Sequence, residues 1–81
     1  MYIGNDFVIE SKSIIAIFDA ELIQDSRRLL HIIQENKEKG TLYGEGKDAK
    51  SIIMTDDALY YSSLSTLTLK NRDELYEKTM D

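Results

Sequence analysis

The chain has no cysteine, no proline, no tryptophan and a single histidine among its 81 residues. Each absence removes a class of explanation. Without cysteine there is no disulfide, and one histidine cannot supply the Cys/His set of a structural zinc site. A chain this short buries only about 60–65% of the surface its unfolded form exposes. Domains of this size usually lean on a crosslink, a metal or a second subunit. With the first two removed, an oligomer or an unusually close-packed core is left. No proline-rich or low-complexity stretch marks a linker, so one domain is expected. No apolar run approaches the roughly 18 residues of a membrane span. Met1 to Asp6 lacks the basic region and apolar stretch of a secretory signal. Together these features fit a cytoplasmic location, where thiols stay reduced and disulfides are rare.

Catalytic chemistry is poorly supplied. His31 is the only side chain whose ordinary pKa lies near neutrality, and it falls mid-helix with no Ser or Cys nucleophile nearby in sequence. Its plain reading is a helix-surface histidine. Asp56-Asp57 reads as turn chemistry rather than a cation site. Gly44-Glu45-Gly46-Lys47 has neither the spacing nor the following helix of a phosphate loop. No catalytic residue, metal or cofactor is expected.

What is present is charge and a clear apolar pattern. The net charge is −5 and the pI near 4.7, which argues against the basic footprint of a nucleic-acid binder. The excess is concentrated at one end. Asp73, Glu74, Glu77 and Asp81 against Lys78 put −3 on residues 73–81 and leave −2 on residues 1–72. The reading is a domain over 1–72 followed by an acidic tail or helix extension over 73–81.

Along the domain, Gly4-Asn5 is a turn signal, Phe7-Val8-Ile9 a strand and Glu10 to Ser13 a polar turn. Ile14 to Phe18 is a continuous apolar strand. Asp19 to Asp25 reads equally as a helix start or an ordered loop. Ser26 can cap a helix whose apolar face carries Leu29, Leu30 and Ile33, and Gly40 can end it. Thr41 to Tyr43 is a short strand. Gly44 to Asp48 is a polar loop. Ser51 to Met54 and Ala58 to Tyr61 form a hairpin about Thr55-Asp56-Asp57. Ser65 or Thr66 can cap a last helix through Leu69 to Arg72. The pattern predicts an α+β fold: a small, mostly antiparallel sheet packed by one long helix and a short C-terminal helix.

Two of the strands do not alternate, so both of their faces want cover. One helix shields one face. The other, carrying Ile15, Ile17 and Ile53, calls for the C-terminal helix or a second subunit. Tyr60 and Tyr61 point to opposite faces of their strand, and one of them is available to an interface or to ordinary surface. Ile15, Ile17, Ile53, Tyr60 and Tyr61 are the candidate subunit-interface residues. Lys12 lies in the turn before the first long strand, and Lys47 and Lys50 bracket the glycine loop. If turn and loop share one end of the sheet, these three make a basic cluster on exposed loops, where binding residues concentrate. Scattered solvated lysines are the alternative.

The order of residues also resembles a known family. Met1-Tyr2-Ile3, Asp6-Phe7-Val8, Ile14-Ile15-Ala16-Ile17-Phe18-Asp19, Lys50-Ser51-Ile52-Ile53-Met54-Thr55 and above all Tyr60-Tyr61-Ser62-Ser63-Leu64-Ser65-Thr66-Leu67-Thr68-Leu69-Lys70-Asn71-Arg72 are similar to the RemA/RemB-type bacterial regulators of extracellular-matrix (biofilm) genes, closest to the RemB-like branch. The resemblance runs from about Met1 to Arg72. It implies a cytoplasmic, non-enzymatic transcriptional regulator. The RemA branch is understood to form closed rings that bind promoter DNA through arginines. The implied partners are further copies of the chain, DNA and, as another possibility, a related regulator protein. Lys12, Lys47 and Lys50 become the expected phosphate contacts, largely without base readout. This chain departs from the RemA branch in its loop, where Lys47-Asp48 stands in place of adjacent arginines. In the first turn the family arginine corresponds to Lys12 or, one place along, to Ser13. Lysine lacks the planar bidentate fork of arginine. The implied alternative is an interaction module of the same family that never touches DNA.

Overall fold

The computed structural model describes residues 1–71. The acidic stretch 73–81 and the helical assignment of Arg72 lie outside the described residues. Strand β1 spans Ile14–Asp19, helix α1 Arg27–Lys39, β2 Leu42–Tyr43, β3 Ser51–Thr55 and β4 Leu59–Ser62. A last helix, α2, covers residues 66–71. The fold class is α+β. The four strands are ordered β1-β3-β4-β2.

The sheet is mixed, which corrects the expectation of a mostly antiparallel one. β1 with β3 and β3 with β4 are antiparallel, but β2 runs parallel to β4. The reason is a connection no local pattern reveals. After β2 the chain is already at the end of the sheet where β3 begins, so residues 44–50 cross the end of β4 instead of turning back on β2.

α1 forms where its local signals say it should. The Leu29 N–H donates to the Ser26 side chain at 3.1 Å, satisfying one of the free donors of the first turn. Gly40 closes the helix at φ 76, with its N–H donating to the Lys37 carbonyl and the Thr41 N–H to the Asn36 carbonyl. This is the left-handed double-bonded cap that glycine favours. No atom outside the immediate chain lies within 4 Å of where a Gly40 side chain would start. Gly40→Ala is therefore expected to cost about 1 kcal/mol from backbone conformation alone, measurable as a lowered denaturant midpoint with an unchanged m-value. The helix buries Leu29 and half-buries Ile32, Ile33 and Asn36, while Leu30 faces outward. The stripe is thus 29–32–33–36 rather than one that includes Leu30.

Register explains the non-alternating apolar runs. Phe18 sits opposite Ile52, Ala16 opposite Met54 and Leu59 opposite Met54, so these share the face that α1 covers through Leu29 and Ile32. Ile17, Ile53 and Tyr60 share the other face. There Ile3, Ile9, Ile53 and Leu69 make a buried cluster flanked by Phe7, Ile14, Ile17, Tyr60 and Leu64. The second layer is therefore internal: the N-terminal segment 1–9 and α2. The pairing slips between Ile14 and Ala16. This bulge throws Ile15 out of phase and leaves it 64% exposed.

Segment 1–9 is not a strand of the sheet, as Phe7-Val8-Ile9 suggests in isolation. It folds on itself, with Ile3 N–H to the Phe7 carbonyl, Ile9 N–H to the Met1 carbonyl and a single bridge of Tyr2 with Val8. The Ser62 hydroxyl ties it to the sheet through the Ile3 carbonyl. Residues 20–25, left open by sequence, form a 3₁₀ segment begun by the Asp19 carboxylate, which accepts from the Glu21 N–H at 2.9 Å.

Candidate nucleic-acid interface

The glycine loop is built around Tyr61. A Cβ on Gly44 would meet the Tyr61 carbonyl oxygen at 2.8 Å, and Gly44 sits at φ 87. A Cβ on Gly46 would meet the Tyr61 ring at 3.2 Å. Both glycines are there because the loop must pass close over β4. The Gly46 carbonyl accepts from the Ala49 N–H at 3.3 Å, and Asp48 takes a left-handed φ of 61. That turn presents Lys47 and Asp48 side by side to solvent. Lys50 is held more firmly. Its N–H donates to the Ser62 carbonyl at 2.8 Å and its carbonyl accepts from the Ala20 N–H at 3.0 Å. Gly44→Ala is expected to destabilise the domain by about 1–3 kcal/mol through strain and this backbone collision, read as a lower thermal midpoint. Gly46→Ala should cost less, because the obstacle is a movable ring edge.

Lys12 does not join this loop. The register pairs Asp19 with Ser51 and Ile14 with Thr55. Lys50 is thus at one end of β1 and Lys12 at the other, separated by roughly 20 Å of strand rise. Lys12 also lies 3.7 Å from the Glu10 carboxylate. The expected three-lysine cluster is corrected to two: Lys47 and Lys50, neither with a carboxylate within 4 Å among the described residues.

The structure brings a further cation to that end. Arg28 lines a hollow with Phe18, Leu22 and Leu29, while Lys50 lines another with Asp19 and Glu21 on the opposite side of the β1 end. Arg27 and Arg28 open α1, whose first turn carries no acid. Cations at the positive end of a helix dipole work against stability. That misplacement is a sequence signal that would have flagged them. The field here is not simply basic, since Asp19, Glu21, Asp25, Glu45 and Asp48 share this end of the molecule.

Of the interface candidates, Ile53 is fully buried and has no surface with which to meet another subunit, because segment 1–9 and α2 already cover its face. Ile17 is half-buried beside the same cluster. Tyr60 stacks on Tyr43 with ring centroids 5.2 Å apart, and Phe7 approaches it edge-on at 5.4 Å. Its phenol is pushed above the ordinary tyrosine pKa, first by burial and then by the negative charge of Asp57. Tyr61 is half-buried over the loop glycines. Ile15 alone of the five is strongly exposed.

The sequence matches the RemA-like family, described as extracellular matrix regulatory protein A-like, over residues 1–72. The chain belongs to the RemA-like family. It is 35% identical over 72 residues to extracellular matrix regulatory protein B of Bacillus subtilis (strain 168), covering 89% of this chain and 86% of that protein. The RemA-like match takes in β1, the glycine loop, Lys50 and α2, and stops before the acidic residues 73–81. No helix among the described residues of this RemA-like chain is long and apolar enough to cross a membrane.

Proposed function

We propose that this chain is a cytoplasmic, non-enzymatic regulator of extracellular-matrix genes. It works as a homo-oligomer and touches DNA through phosphate contacts from Lys47 and Lys50. The observation that carries the DNA reading is the pair of lysines without ion-pair partners among the described residues, on a loop that Tyr61 and two glycines hold at one end of the sheet. Arg27 and Arg28 add positive charge at the same end of the molecule, on the other side of the β1 end. Two cations per subunit among five carboxylates bind weakly, so assembly has to multiply the contact.

Two unlike apolar surfaces support assembly. Ile15 of β1 and Leu22 of the 3₁₀ segment that follows it are exposed at one side of the sheet. Tyr43 of β2 is exposed at the other, with Tyr2 and Val8 on the outer side of segment 1–9. Unlike surfaces join head to tail, which closes a ring when the rotation allows.

A labelled duplex of about 30 base pairs, titrated by anisotropy across a salt series, tests the DNA contact. Log affinity should fall with log salt by about 0.9 per phosphate neutralised, with a slope of several units for an assembled protein. Absence of binding at about 50 mM salt by folded, assembled protein rejects it. The second reading, a regulator that binds another protein with this surface, is favoured by Asp19 and Glu21 beside Lys50, and that negative result selects it.

A further inference from the structure

β1 is an edge strand. It pairs with β3, and among the described residues nothing pairs with its other edge. Along it runs a hollow of about 500 Å³ lined by Ile15, Ile17, Asp19, Leu22, Thr66 and Lys70. Ile15 and Leu22 are more than half exposed. An open apolar edge is a ready template for an extended chain.

The chain itself brings a candidate to this place. Thr66 and Lys70 of α2 form one wall of the hollow, and ten further residues follow Asn71. Fully extended, ten residues reach about 33 Å, against roughly 20 Å for β1. Their sequence holds Leu75, Tyr76 and Met80 between Asp73, Glu74, Glu77 and Asp81. That is an apolar set for Ile15 and Leu22 and an acidic set for Lys70, which has no carboxylate within 4 Å among the described residues.

We propose that residues 72–81 cover the β1 edge in the unassembled subunit, placing Leu75, Tyr76 and Met80 against Ile15 and Leu22 and the acids toward Lys70. The segment then competes with a second copy for the same edge. This last consequence rests on the assembly reading above; the covering does not.

Hydrogen exchange of the full chain, followed by mass spectrometry over a dilution series, tests the covering. The comparison is with a Leu75→Ser/Tyr76→Ser/Met80→Ser variant. Exchange in residues 14–19 should rise severalfold in the variant at low concentration, while residues 51–55 stay unchanged as the control for folding. Should residues 51–55 change as well, the single variants Leu75→Ser and Tyr76→Ser replace the triple one. Equal exchange of residues 14–19 in both proteins at every concentration overturns the proposal. So does protection of that strand which disappears on dilution but ignores the substitutions, because a second copy is then the occupant. Sedimentation of the same samples reports assembly separately: a chain that stays single still shows the tail effect if the covering holds.

Discussion

Lys47→Glu/Lys50→Glu is expected to abolish measurable duplex binding at about 150 mM salt while leaving the fold intact. Under the proposed contact, each subunit gives up two cations that would face phosphates and gains two repulsive charges. If both lysines reach phosphates, the conservative Lys47→Gln/Lys50→Gln protein should keep weak binding, with a salt slope smaller by about 0.9 for each phosphate no longer neutralised. Neither side chain is buried or ion-paired among the described residues, so unfolding should shift by no more than about 0.5 kcal/mol. Lys12→Glu is the internal comparison. Its side chain is 87% exposed, 3.7 Å from the Glu10 carboxylate and at the far end of β1, so its effect on affinity should be small. If Lys12→Glu weakened binding as much as the loop substitutions, the two-lysine contact would be wrong.

A second large effect separates core from surface within one strand pair. Ile53→Ala is expected to destabilise the subunit by about 2–5 kcal/mol, since Ile53 is fully buried among Ile3, Ile9 and Leu69. That is a large share of the roughly 5–15 kcal/mol that usually holds a small domain together, and chemical denaturation would show it as a collapsed midpoint. Ile15→Asp should do the reverse. The bulge leaves Ile15 outside the core, so the unfolding free energy of the subunit should change far less than in Ile53→Ala. Sedimentation should show the assembly lost or weakened. Intact assembly in a folded Ile15→Asp protein would remove the β1 edge from the interface. The pair also decides between two uses of an apolar strand that look identical on paper.

Tyr60 adds a pH dependence. Its folded pKa is raised, so the neutral phenol is the form that the fold prefers. The associated stability is present in full below the ordinary tyrosine pKa near 10 and is lost as pH rises through the folded value. Alkaline unfolding of Tyr60→Phe should lack that component.

Much of the architecture is legible in local signals. Ser26 and Gly40 mark both ends of α1 because a cap needs only its own hydrogen bonds and φ. The apolar runs of β1 and β3 announce strands covered on both faces. The glycines of the 44–50 loop are visible as a loop signal, though not their cause, which is the passage over Tyr61.

What local pattern could not supply is everything set by which distant segments meet. An apolar run shows that a face is covered but not by whom, so Ile53 reads as an interface residue until Ile3, Ile9 and Leu69 are seen on it. A bulge is a property of a pair of strands, so Ile15 cannot be told from Ile17 before the register with β3 is known. Two loops lie at the same end of a sheet only if the strand directions say so. The parallel entry of β2, and β1 running opposite to β3, put Lys12 a strand length away from Lys47 and Lys50. The sequence by itself determined α1 with both of its caps, the strands β1 to β4, the α+β class and the resemblance to a family, but not the fold of segment 1–9 or of residues 20–25. The tertiary structure decided which lysines share an end and which isoleucine still faces water, because side-chain proximity between remote segments is created by folding and is encoded in no single stretch of chain.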